Sequence, residues 1–337
     1  MKAGRTRIRW GAAAAVLLSF ALVGCDRGEG GEAGGGSSRV SGTLWTLNYP
    51  LDFDRGARRA DASGTDDAIK MTSNASAFPW PDGLRYLTWA YDSREGVTRV
   101  QVFETASNKL IFQSEINGYA RRFRPSPVDK DVVMAIWSNE VASTDQSIAI
   151  LRLRKGHAEA IDGFRTHGAV VDWLPDGTYV AVAPDRTVYA GTVGGSSLKR
   201  TGTLAIPSGS RISSIDVSPV GDKMLALVQM LGNTGAVTSS DLWIAGVDGS
   251  SSEQFTNTLM TAMPTWSPDG KYVAYEADEG IVCGGGGCAG KCSLWYGSSS
   301  ARMLDGIEAT RDASVFIVKN SSGKQSLLGC DLTGWTP

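Results

Sequence analysis

The stretch TWSPDGKYVAYEAD, residues 265–278, decides the fold. An apolar-ended segment runs into Pro268-Asp269-Gly270 and then into Tyr272, Val273, Ala274 and Tyr275, so the local reading is two antiparallel strands joined by a tight turn. Proline presets φ for the first turn position, aspartate accepts hydrogen bonds from nearby backbone amides, and glycine supplies the unusual dihedral that sends the chain straight back. The pattern returns as DWLPDGTYVAVAPD at 172–185, with Trp173 and Pro175 standing where Trp266 and Pro268 stand. Weaker copies are PWPDGLRYLTWAYD at 79–92, FRPSPVDKDVVMAIW at 123–137, DVSPVGDKMLALV at 216–228 and EATRDASVFIVK at 308–319. Pro81, Pro127, Pro175, Pro219, Pro268 and the aligned Arg311 are therefore spaced by roughly 43 to 49 residues, which suits a four-stranded propeller blade. The expected fold is all-β, a single β-propeller over residues 40–337 with about six four-stranded blades.

These residues resemble the TolB-type, WD-like propeller repeat, also seen in the propeller domains of prolyl-oligopeptidase relatives, whose recognisable core is Trp-Ser-Pro-Asp-Gly-Lys. Residues 266–271 match that core completely. The resemblance spans about residues 40–337, strong at two repeats and degenerate at four, with Val220 and Gly221 where Asp-Gly is expected. It implies a non-catalytic scaffold that binds an envelope protein or peptide. The last repeat runs out near KQSLLGCDL, while RVSGTLWTLN and AIKMTS lie unassigned towards the other end of the chain. These N-terminal segments are expected to close the ring, because exchanging first and last strands removes a sheet edge and ties the termini together.

Length and composition agree with that reading. The 337 residues are 42% hydrophobic and 20% charged, enough apolar surface to fold and too little periodic bias for a collagen or coiled coil. Forty-one glycines and ten tryptophans point to short strands and tight turns. The formal charge is −2, and removing Lys2, Arg5, Arg7 and Arg9 with a leader leaves a more acidic body, which disfavours generic nucleic-acid binding.

A leader is expected over residues 1–24. The basic MKAGRTRIR precedes an apolar run from Trp10 to Gly24 that is too short for an ordinary membrane-spanning helix and has the form of an export signal. Leu22-Val23-Gly24-Cys25 resembles a bacterial lipobox, which implies that Cys25 becomes the lipidated first residue; a plain signal peptide with an incidental cysteine is the alternative. Residues 25–39 contain DRGEGGEAGGGSS, almost without apolar side chains, and read as a flexible tether. The expected address is the bacterial cell envelope, lipid-anchored and periplasm-facing.

Candidate sites are sparse. The loop VCGGGGCAGKCS formally matches G-x-G-x-x-G through Gly285, Gly287 and Gly290, but SLWYGSSS after it reads as strand and turn, whereas a phosphate cradle needs a helix N-terminus. Cys283, Cys288 and Cys292 share that loop, and Cys330 follows. Their spacing is no standard zinc arrangement, and an exported protein sits where disulfides form, so a Cys283–Cys292 disulfide is expected across the hairpin mouth, with Cys288 and Cys330 left open. His157 and His167 are the only histidines and no G-x-S-x-G elbow occurs. The acidic stretch around Asp52, Asp54, Asp61, Asp66 and Asp67 lacks EF-hand spacing and reads as a solvated insertion. The tryptophans read as inter-blade core.

The most suggestive surface is Tyr119-Ala-Arg-Arg-Phe-Arg124, on an innermost strand just before a turn. By strand alternation Arg122 and Arg124 share one face and Arg121 takes the other. They could line a basic funnel that binds an acidic partner segment, or they could pair with acidic residues of neighbouring blades. Neither a cofactor, a metal nor a catalytic residue is expected, and the chain is expected to be monomeric. The competing class is a small propeller enzyme, a lactonase or lyase, with its site in the central channel.

Overall fold

The computed structural model describes residues 42–46, 50–52, 58–59, 77–138, 147–165, 168–195, 197–257, 261–284, 287–300, 314–315, 317–319, 325–327 and 332–337; for residues 46, 50–52, 58–59, 278–294, 314–315, 317–319 and 325–327 the backbone alone is described. They form an all-β propeller. Five blades are each built from four consecutive antiparallel strands. The first holds Ala77–Pro79, Arg85–Asp92, Val97–Glu104 and Lys109–Asn117, and the second Tyr119–Pro125, Val132–Ser138, Ser147–Arg154 and His157–Arg165. The third holds Val170–Trp173, Tyr179–Val182, Thr187–Gly191 and Lys199–Thr203, and the fourth Ser210–Val217, Lys223–Leu231, Val237–Gly246 and Glu253–Gln254. The fifth holds Thr261–Trp266, Tyr272–Gly284, Gly287–Ser298 and Ser314–Val315. The first strands of successive blades adjoin one another around the axis.

The expectation of about six sequential repeats is corrected to these five. Ser314–Val315, within the sixth repeat expected at 308–319, is the outer strand of the fifth blade, and Arg311 lies outside the described residues. A further four-stranded sheet is composite: C-terminal Leu332–Thr336 pairs with Thr43–Thr46, which pairs with Pro50–Asp52 and then Arg58–Arg59. The N-terminal segment thus supplies three strands of this sheet. Trp45 Nε1 donates to Thr336 Oγ1 at 3.0 Å, so the two ends of the chain are joined by a buried side-chain bond as well as by the ladder.

The second strand of each blade explains the core. In Val132–Ser138, Val133 and Ala135 pack towards Leu87, Val100 and Val102 of the first blade, while Val132 and Met134 pack towards Val171, Trp173 and Tyr179 of the third. Period-two alternation in a strand apolar from Val132 to Trp137 therefore feeds two interfaces at once. Tyr179–Val182 repeats this arrangement, with Tyr179 and Ala181 facing the second blade and Val180 and Val182 facing the fourth.

The turns after the first strands collect on one face. Gly270 has φ +71°, its N–H donates to the Ser267 carbonyl at 2.9 Å, and Asp269 Oδ1 accepts from Lys271 N at 3.0 Å. In the degenerate copy at Val220-Gly221, which lacks that carboxylate, Ser218 Oγ accepts from Val220 N at 3.2 Å. Gly177, at φ +84°, also lets successive turns nest, since a Cβ there would lie 2.4 Å from Val128 Cγ2 of the preceding blade.

Candidate functional site: the channel mouth

The turn hydrogen bonds make Phe78, Arg124, Asp172, Asp216 and Thr265 equivalent, one on the innermost strand of each blade, two residues before the turn's first N–H donor. Three charged residues thus stand side by side on successive blades. Arg124 Nη2 lies 3.0 Å from Asp216 Oδ1, Arg124 Nε lies 3.6 Å from Asp172 Oδ1, and Nη2 also donates to the Ile215 carbonyl at 3.3 Å. The guanidinium therefore reaches from the second blade past the third to the fourth, across the channel floor. Each carboxylate has a second duty: Asp172 Oδ2 accepts from Val217 N at 2.8 Å and Asp216 Oδ2 from Trp266 N at 3.2 Å, both in the following blade. The motif tryptophans complete the stitching, with Trp173 Nε1 donating to the Arg124 carbonyl and Trp266 Nε1 to the Asp216 carbonyl, both at 2.9 Å.

Burial sets the electrostatics. Desolvation pushes Asp216 up to about 6 against the pull of Arg124, with Asp172 adding to the rise. Desolvation alone would lower Arg124, but Asp172 and Asp216 outweigh it and hold the guanidinium above the ordinary arginine value. Arg122 is two residues deeper on the same face. Desolvation and then the like charge of Arg124 push it down to about 9, opposed by Asp216 and Asp172; it stays cationic at neutral pH. It makes no hydrogen bond and no ion pair within 4.0 Å among the described residues. The register slips between Ala120 and Arg122, making Arg121 the extra residue of a bulge. Arg121 is exposed and has partners of its own. Arg122 and Arg124 are brought together, and Arg121 is turned away from them.

Above this floor is a cavity of about 370 Å³ walled by the motif residues, including Trp80, Trp173, Trp266, Pro175, Pro268 and Trp335. Trp173 and Trp266 therefore serve the core, the stitching and the mouth together. Asp172 and Asp216 were absent from the sequence-derived candidates. The signal was present as the acidic residue opening DWLPDG and DVSPVGD, but period alone does not reveal that it meets an arginine from another repeat.

The cysteine expectation needs correction in its geometry. The backbone register pairs Cys283 with Cys288 and sets Cys292 opposite Asp278, so Cys283 and Cys292 do not face each other across the hairpin. The longer excursion of Tyr272–Gly284 and Gly287–Ser298 moves the hairpin tip beyond Cys283, which shifts the pairing by four residues. Cys25 and Cys330 lie outside the described residues, as does His167, while His157 is exposed at the start of an outer strand. Among the described residues no three His, Cys, Asp or Glu side chains converge as metal ligands.

No family model and no curated protein matches the chain. Among solved structures it is similar to TolB from Acinetobacter baumannii, at 14% identity and TM-score 0.57, covering 89% of this chain and 68% of that one. The Kuenenia stuttgartiensis hydrazine synthase (14% identity, TM-score 0.44, 65% and 61% coverage) and an oligogalacturonate lyase from Vibrio parahaemolyticus (12%, 0.44, 69% and 69%) are more distant in shape. The chain spans less than two thirds of the hydrazine synthase chain. At these identities the likeness is one of fold: the chain is a β-propeller repeat protein.

Proposed function

We propose that this is a non-catalytic envelope propeller, lipid-anchored through Cys25, whose central channel binds an acidic segment of a partner protein. We take the composite sheet as the sixth, closing blade, and residues 25–39 as the tether that holds the ring off the bilayer. The observation that carries the reading is Arg122. A cation inside a channel that makes no hydrogen bond and no ion pair within 4.0 Å among the described residues is unfavourable until an anion joins it, and a carboxylate is the matching group. Arg124 does not compete for that anion, because Asp172 and Asp216 already engage it. The same two carboxylates are committed to backbone N–H groups of the next blade, which speaks against using either as a general base in a lactonase or lyase.

The test is cross-linking in cells, comparing wild type with Arg122→Gln and with Cys25→Ala. One envelope protein should cross-link to wild type and at least tenfold less to Arg122→Gln at unchanged melting temperature, while Cys25→Ala should leave the membrane fraction. Equal cross-linking by Arg122→Gln would remove the channel from the binding site, and normal membrane partition of Cys25→Ala would remove the anchor.

A further inference from the structure

A second concavity opens on the same face, between the first and second blades, with a volume of about 750 Å³. Its walls come from the turns that join first to second strands, at Leu84 and Lys130, and from those that join third to fourth strands, at Thr105 and Lys155. Trp80 lines this groove and the channel mouth alike, so the two share a wall. The groove has apolar lips: Leu84 is 67% exposed and Ile111 44%. Beneath its surface, Trp80 Nε1 and Thr105 Oγ1 are buried with no hydrogen-bond partner among the described residues, and Trp80 itself is only 2% exposed. Buried polar atoms without partners are rare in folded proteins and call for an explanation.

Charge gives the occupant its character. Four cations border the groove, Arg85, Lys130, Arg154 and Lys155, against two carboxylates, Glu104 and Asp131. Asp131 is shared by Arg85 at 3.6 Å and Arg154 at 3.4 Å. Lys130 and Lys155 make no ion pair among the described residues. This cationic rim stands out on a chain of formal charge −2.

From this geometry we infer that the groove between the first and second blades is a docking site for an extended acidic peptide segment with an apolar residue. The apolar side chain sits between Leu84 and Ile111, and flanking carboxylates face Lys130 and Lys155. The inference rests on the reading of the protein as a binding scaffold and extends it to a radial path that leaves the channel mouth. Lysine pairs at such a rim steer association and add salt dependence, while the apolar contact holds the complex.

The experiment uses fluorescence anisotropy on the full propeller with three probes: a labelled octapeptide alternating Glu and Leu, its Lys–Leu counterpart and a single-stranded DNA oligonucleotide. The Glu–Leu probe should bind and the other two should not, and Lys130→Glu/Lys155→Glu should weaken binding at least tenfold without lowering the melting temperature. Leu84→Ser should weaken it severalfold at any salt concentration. Equal binding of the Lys–Leu probe, equal binding of the oligonucleotide, or indifference to both variants would overturn the groove. If Arg122→Gln loses the cellular partner while the groove variants keep it and the Glu–Leu probe ignores them, the groove fails and the channel reading stands; if all variants retain the partner, both fail.

Discussion

Blades two to four and the sheet that joins the chain ends meet the same requirement, attachment of each innermost strand to the next, with different chemistry. Across blades two to four the equivalent positions carry Arg124, Asp172 and Asp216, and the attachment is ionic and buried. In the fifth blade the equivalent residue is the neutral Thr265, and in the first it is Phe78, in tilted contact with Trp89 at 4.8 Å between ring centroids. At the join between the ends the work falls to the ladder between Leu332–Thr336 and Thr43–Thr46 and to Trp45, packed with Tyr86 and Phe103. The lesson is that the repeat fixes where the side chain points and leaves its chemistry free. The charged stretch gives the channel its electrostatic character, while the pairing of Leu332–Thr336 with Thr43–Thr46 holds the ring shut.

That contrast can be broken at several points. The largest effect should come from removing residues 332–337, which deletes the strand paired with Thr43–Thr46 and exposes Trp45; equilibrium unfolding should lose its cooperative transition, and an intact transition would deny the joining sheet its role. Next, Asp216→Ala leaves Trp266 N without an acceptor and Arg124 with one carboxylate, a buried-pair break expected to cost about 3 kcal/mol. The equivalent Thr265→Ala should cost under about 1 kcal/mol by the same urea titration. Similar losses for the two would mean that the ionic stretch is not special.

A smaller effect concerns pH. Folding raises Asp216 to about 6, above an unfolded carboxylate near 3.9, so between these values the folded state binds more proton. Its contribution is full below about pH 4 and lost as pH rises through about 6, with a slope of at most about 1.4 kcal/mol per pH unit. Wild type should therefore lose more stability than Asp216→Asn between pH 4.5 and 7, and parallel curves would show that the carboxylate does not titrate there. A similarly small change is Trp266→Phe, which retains an aromatic ring and forfeits one indole hydrogen bond, about 1 kcal/mol; no loss would mean that this bond is replaced by solvent.

Much of the ring was legible before any coordinates. Pro-Asp-Gly turns followed by strand-forming runs, returning at blade-sized intervals, specify antiparallel blades because each turn residue acts through its own dihedral or its own side-chain bond. Arg122 and Arg124 on one face followed from strand alternation, and the bulge at Arg121 preserved that face. The weak copy at 308–319 misled the count because a short apolar run serves equally well as an outer strand. The Cys283 register failed for a related reason: hairpin pairing depends on where the turn falls, and four glycines in a row leave that position unspecified.

Local chemistry, carried by dihedral preference and period, determined the strands, the turns and the closing of the chain ends upon each other. Tertiary structure alone decided that the C-terminal strand would be joined by three from the N terminus, that Arg124 would cross the channel floor to Asp216, ninety-odd residues away, and that Arg122 would make no hydrogen bond or ion pair within 4.0 Å among the described residues. Those outcomes depend on distances between blades, and a chain read residue by residue holds no information about which charges burial will bring within 4 Å and which it will leave alone.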